Sequence, residues 1–174
     1  MNEIQLIRAQ LNTERLHVNA VAQACAAAPG AAQGRALPAS AALELRAAAT
    51  DYLLCVLGWF DARDQHLIEL LRTRTGGDEP ARHALQRALA QPGSSHEALA
   101  PHNNAGALPV TWPAWAQFIQ TVWNPRREAI DALMTAITRP ADWRTIAGID
   151  ADSILDERRR FERVRAACPP GEAC

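Results

Sequence analysis

Residues 53–71 read LLCVLGWFDARDQHLIELL. Leu53, Leu57, Phe60, Leu67 and Leu71 recur at spacings of three and four or their sum, so a helix turning about 100° per residue puts them on one face. A strand would need strict alternation, and none is present. The purely apolar part, Leu53 to Phe60, falls far short of the roughly 20 residues that span a bilayer. Asp64 occupies the middle of the apolar stripe.

Outward from this stretch, the punctuation divides the chain into further helices. Ser40 is a candidate N-cap for a helix over 41–74, which Gly76-Gly77 ends. Upstream, residues 3–28 have helical periodicity and meet Pro29-Gly30. Downstream, Asp78 and Pro80 open a short helix to Ala90, and residues 91–110 form a loop rich in Pro, Gly and Asn. Thr111 and Pro113 start a helix to about 138, with Pro125 expected to kink it. Pro140 begins one short turn closed by Gly148. Asp150 or Asp152 caps a final helix over 153–167, which Pro169-Pro170 stops. The expected fold is all-α: an antiparallel four-helix bundle with an additional short helix and a C-terminal helix. Residues 1–168 form one domain and 169–174 a flexible tail.

The chain has 174 residues, 48% apolar and 21% charged, as in an ordinary soluble domain. Eighteen basic residues, all Arg, face 19 acidic ones, for a net charge of -1. This balance excludes a nucleic-acid binder or polybasic membrane binder driven by bulk charge. Cys25, Cys55, Cys168 and Cys174 form no CxxC pair, and no His lies at zinc-finger spacing from them. Cys25 and Cys55 read as small core residues; Cys168 and Cys174 flank Pro-Pro-Gly and read as part of a frayed tail, with oxidation of the two together as the alternative. The N-terminal MNEIQLIRAQLNTER lacks the apolar block of a signal peptide. A soluble cytoplasmic protein is expected.

Four helices each place an ionisable residue on an apolar stripe. The first reads Ile4, Ile7, Leu11, Glu14, Val18, Val21, Cys25, and the second carries Asp64. The later long helix has Trp123, Arg126 and Ile130, and the last has Ile154, Glu157 and Phe161. Burying any of these charges alone costs several kcal/mol, so they should be paired. Glu14, Asp64 and Arg126 lie near mid-helix, which predicts an internal polar layer with Glu157 as a further member. In the favoured reading, Arg126 is clamped by Glu14 and Asp64, because a guanidinium fork satisfies two carboxylates. The alternative is a metal site using Glu14, His17 and Asp64, and Glu157 as well, for iron, manganese or zinc. Glu14-x-x-His17 has the spacing of di-iron bundles, but His66-x-x-Glu69 runs in the reverse order. A cationic Arg126 in the layer would repel a metal.

This layout resembles the hemerythrin-like (HHE cation-binding) bundles. TERLHVNAV, residues 13–21, is similar to that family's opening, with His17 in the ligand role. In LGWFDARDQHLIELL, residues 57–71, Phe60 falls at the family's His position and Asp64 at its Glu position. His83 is on the third helix but points away from Leu85 and Leu89. The fourth offers Trp123-Asn124-Pro125-Arg126-Arg127-Glu128, with no His. The resemblance covers about residues 3–138. It implies a bundle that has lost the oxygen-binding diiron centre and keeps a salt-bridged or reduced site.

Elsewhere, His96 and His102 lie in the long loop, His66 at a helix boundary, and Trp112, Trp115 and Trp123 on a core stripe, the first two able to border a pocket. The Arg-rich last helix reads as a solvated face with i,i+4 pairs. No Gly-rich phosphate loop or Ser–His–Asp pattern is legible. The expected function is non-enzymatic binding or sensing without a cofactor. The alternative is a metal-dependent redox or oxygen-handling protein. A third reading is docking of a protein partner or second copy, for which Val56, Trp59 and Leu70 offer a spare apolar face on the second helix.

Overall fold

The computed structural model describes residues 3–27, 39–74, 79–90, 112–134 and 140–168. Every described element is helical: α1 (Glu3–Ala27), α2 (Ala39–Arg74), α3 (Glu79–Ala90), α4 (Trp112–Phe118), a π-helical turn (Ile119–Trp123), α5 (Asn124–Met134), α6 (Pro140–Ala147) and α7 (Ala151–Ala167). The all-α expectation therefore holds for the described residues. None of their helices is long and apolar enough to cross a membrane. The expected loop with His96 and His102, and the tail from 169, lie outside the described residues.

The local chemistry explains most boundaries. α2 begins at Ala39, so Ser40 sits in its first turn and not at the N-cap. α6 is a full helix, longer than the single turn expected, with Pro140 at its first position, where the missing N–H costs nothing. Gly148 ends it with φ 53°, and its N–H bonds to the Arg144 carbonyl at 3.1 Å. Asp150 caps α7: its side chain accepts from the Ser153 N–H at 2.7 Å, and Ser153 Oγ accepts from the Asp150 N–H at 3.0 Å.

Pro125 acts upstream of itself. It has no N–H to give the Thr121 carbonyl, and its ring crowds the preceding turn. The chain widens there: the Asn124 N–H reaches back five residues to the Ile119 carbonyl. The expected kink is thus a π turn between α4 and α5.

Among the described residues the interior comprises two apolar cores. One gathers Val18, Val21 and Cys25 of α1, Tyr52 to Phe60 of α2, Trp115, Ile119 and Trp123, and Phe161 and Val164 of α7. The other gathers Leu67, Ile68 and Leu71 of α2, Ala84 and Ala88 of α3, Ile130 to Met134 of α5, and Trp143 and Ile146 of α6. Along α1 the second core comes first; along α2 and α4–α5 the order reverses. Where each helix passes between the cores it carries charge: Glu14 on α1, Arg63 and Asp64 on α2, Arg126 and Arg127 on α5, all buried.

The apolar face assigned to α2 is not spare. Val56 is fully buried in the first core, and Trp59 and Leu70 are half-buried against the first and second cores respectively. Cys25 is buried and Cys55 half-buried, both as free thiols. Cys168, just after α7, is disulfide-bonded.

Candidate functional site

Glu14, Asp64 and Arg126 are buried between the two cores, with different pairings from those expected. Arg126 does not clamp Glu14. Arg63 does: its Nη1 donates to Glu14 Oε2, and its Nε donates to the Ala147 carbonyl at 2.6 Å. The other oxygen of Glu14 accepts from Gln10 Nε2 at 3.2 Å. One guanidinium thus ties α1, α2 and the end of α6 together. Asp64 instead takes two arginines of α5, Arg126 through Nε at 3.2 Å and Arg127 through Nη1 at 2.8 Å. Among the described residues, no buried side-chain nitrogen or oxygen lacks a partner. This is the condition under which buried charge is tolerated.

Glu157 does not join this layer. It lies inside the first core, where its Oε1 meets His17 Nδ1 at 2.8 Å and accepts from the Tyr52 hydroxyl at 2.8 Å. The His17 ring stacks on Phe161, with centroids 3.6 Å apart and planes 8° from parallel. Burial, with the Glu157 charge second, pushes the Tyr52 phenol far above its ordinary value. It therefore remains a donor at any working pH.

These pairings dissolve the expected metal set. Glu14, His17 and Asp64 each have a different partner. No group of three or more His, Cys, Asp or Glu among the described residues is placed to hold a metal ion. Glu157, the fourth proposed ligand, is occupied by His17 and Tyr52. His66 and His83 are exposed, His83 near Glu79 of its own helix at 3.2 Å. A cation would have to displace a guanidinium already within hydrogen-bond reach of each layer carboxylate.

Beside the layer lies a cavity of about 470 Å³ between α1, α2, α5 and α6. That volume is within the usual range for small-molecule sites, about 300–1,000 Å³. Its deep end is Phe60, Arg63, Asp64 and Arg127, all buried. Phe60 is a platform for both guanidiniums, with Arg63 5.3 Å and Arg127 4.9 Å from its ring centroid. Apolar walls come from both sides, among them Leu11, Leu67, Met134 and Ile146. At the solvent side Arg15 pairs with Asp131 at 2.9 Å, and Arg8 lies 5.7 Å from the Trp143 ring centroid. The pocket-bordering tryptophan is thus Trp143. Trp115 is buried in the first core, and the side chain of Trp112 lies outside the described residues.

Sequence reasoning missed Arg63, Arg127 and Trp143. The signal for the two arginines was present: Phe60, Arg63, Asp64, Leu67 and Trp123, Arg126, Arg127, Ile130 both have the i, i+3, i+4, i+7 spacing of a buried face. Nothing in the α6 sequence marked Trp143 as a pocket wall. No family model matches the chain, and no curated protein or solved structure matches it.

Proposed function

We propose that this chain is a non-enzymatic small-molecule binding or sensing protein, and that the cavity between α1, α2, α5 and α6 is its site. The carrying observation is the composition of that cavity: apolar walls over a deep end of buried charged groups held by ion pairs. Such a mixture of apolar surface and a few fixed polar groups is what orients a ligand. No described group of side chains supports a metal-dependent chemistry.

The overall arrangement is read as an antiparallel bundle of the hemerythrin-like kind. Two features support the antiparallel order: the order of the two cores reverses between α1 and α2, and α7 packs along α2 through Tyr52–Glu157 and Asp51–Arg160. In this reading, arginines occupy the interior that a metal centre holds in that family. A ligand bridging four elements would stabilise the fold by mass action, which provides a sensing output without a catalytic step.

The test uses a neutral fluorescent probe, N-phenyl-1-naphthylamine, titrated into the full chain. Saturable one-site binding is expected. Ala132→Trp and Leu11→Trp, which fill the cavity from α5 and α1, should abolish it without loss of helix content. Absence of saturable binding, or binding that survives both substitutions, overturns the proposal.

A further inference from the structure

We infer that the cavity selects an amphipathic organic carboxylate, a single carboxylate head on an apolar body, with Arg127 as the residue that reads the head. The inference rests on the cavity being a ligand site and adds the class of ligand.

The deep end is cationic in an unusual way. Arg63 is tied through two of its three nitrogens, Nη1 to Glu14 and Nε to the Ala147 carbonyl. Arg127 is held differently. It gives a single N–H to Asp64, and Asp64 is shared with Arg126. Arg127 is nonetheless only 4% exposed. A guanidinium has five N–H donors in a planar fork. No buried side-chain nitrogen among the described residues is without a partner. Any nitrogen of Arg127 without a partner therefore keeps some exposure, and Arg127 lines the cavity.

The fork is also held in place. Asp64 fixes one edge and the Phe60 ring supports its face. An anion arriving there meets donors that need no reordering and little competing water. The rest of the lining favours an apolar body: Leu11, Leu67, Met134 and Ile146 make the walls, and Trp143 adds a flat aromatic surface.

Charge decides between a carboxylate and a phosphate monoester. Two carboxylates, Asp64 and Asp131, line the cavity, and Glu14 lies directly behind Arg63. A head of one negative charge can take the open edge of Arg127 at a distance from them. A head approaching two charges at neutral pH meets Glu14 and Asp64, each already bound to one of the two deep guanidiniums. At the rim Asp131 is paired to Arg15, and Arg8 adds the positive charge that draws an anion in.

The experiment displaces the bound neutral probe from the full chain with 2-naphthoate, 2-naphthylmethanol and 2-naphthyl phosphate, three heads on one body. Naphthoate should displace it at concentrations on the order of tenfold or more below the alcohol, as expected for a charge-assisted bond to a fixed guanidinium. The phosphate should be weaker than naphthoate. In Arg127→Gln the preference for naphthoate over the alcohol should vanish. Arg127→Lys, which keeps charge and loses the fork, should fall between. Equal displacement by naphthoate and alcohol, or stronger displacement by the phosphate, overturns the inference while leaving the cavity reading intact. No probe binding at all fails the cavity reading itself. If Arg127→Gln loses its helical circular dichroism, the wild-type ranking of the three heads still decides.

Discussion

Arg63 ties three helices together through two buried hydrogen bonds. Its loss removes the counter-charge of Glu14, which is fully buried, and the donor to the Ala147 carbonyl. Breaking such a pair from one side typically costs about 3–5 kcal/mol, because the stranded charge must be desolvated or neutralised. Arg126→Met should cost less than Arg63→Met, since Asp64 retains Arg127. Urea unfolding of the two variants tests this ordering, and an Arg126→Met loss equal to or above that of Arg63→Met would overturn the partition of the layer. Glu14→Leu added to Arg63→Met should recover most of the loss, leaving chiefly the Ala147 carbonyl unsatisfied. A second test concerns Glu157. Tyr52→Phe deletes one of its two partners, with an expected cost of about 1–3 kcal/mol. The four charges themselves were legible, because each interrupts an apolar stripe. Their pairing was not. A stripe shows which residues face inward, but Arg63 and Arg126 sit at equivalent places on different helices, and only the packing of α1 against α2 gives Glu14 to the former.

Helix ends are where sequence and structure agree best, since the determinants are local. Gly148 and Asp150 work within four residues of themselves. Hydrogen bonds from the Ser153 backbone and side chain hold the Asp150 carboxyl below its ordinary value of 3.8. A carboxyl with a lowered folded value stabilises α7 above the unfolded value and loses that contribution as pH falls through the folded one. Asp150→Ala should therefore lower the melting temperature at pH 7, and the gap to wild type should close as the pH drops below the ordinary carboxylate range. A gap that is the same at both ends of that range would show that the charge of Asp150 is irrelevant to the cap. The π turn was out of reach for the opposite reason. Pro125 guarantees only that the α ladder fails near 121. That the chain responds by widening depends on Ile119 and Trp123 both entering the first core. The Asn19–Asn124 side-chain bonds, 3.0 and 3.4 Å, then pin the turn to α1.

The two cores differ in what they bury, and this bears on how the protein fails at high pH. The first core holds Tyr52, whose phenol burial pushes far above its ordinary value, and Cys25, whose thiol burial pushes from 9.0 to about 12. Burial raises the half-buried Cys55 as well. Each is an acid that is harder to ionise folded than unfolded. In the window above about pH 9 the folded chain keeps protons that the unfolded chain releases, so stability is intact below the unfolded values and falls as pH rises through them. Urea unfolding at pH 7, 9 and 10.5 should show a progressive loss in wild type. Tyr52→Phe combined with Cys25→Ala should start from a lower stability at pH 7, having lost a Glu157 donor and some packing, and then decline less steeply. Equal slopes for the two proteins would mean that alkaline unfolding begins elsewhere, and that the first core is not where the molecule senses the loss of its protons.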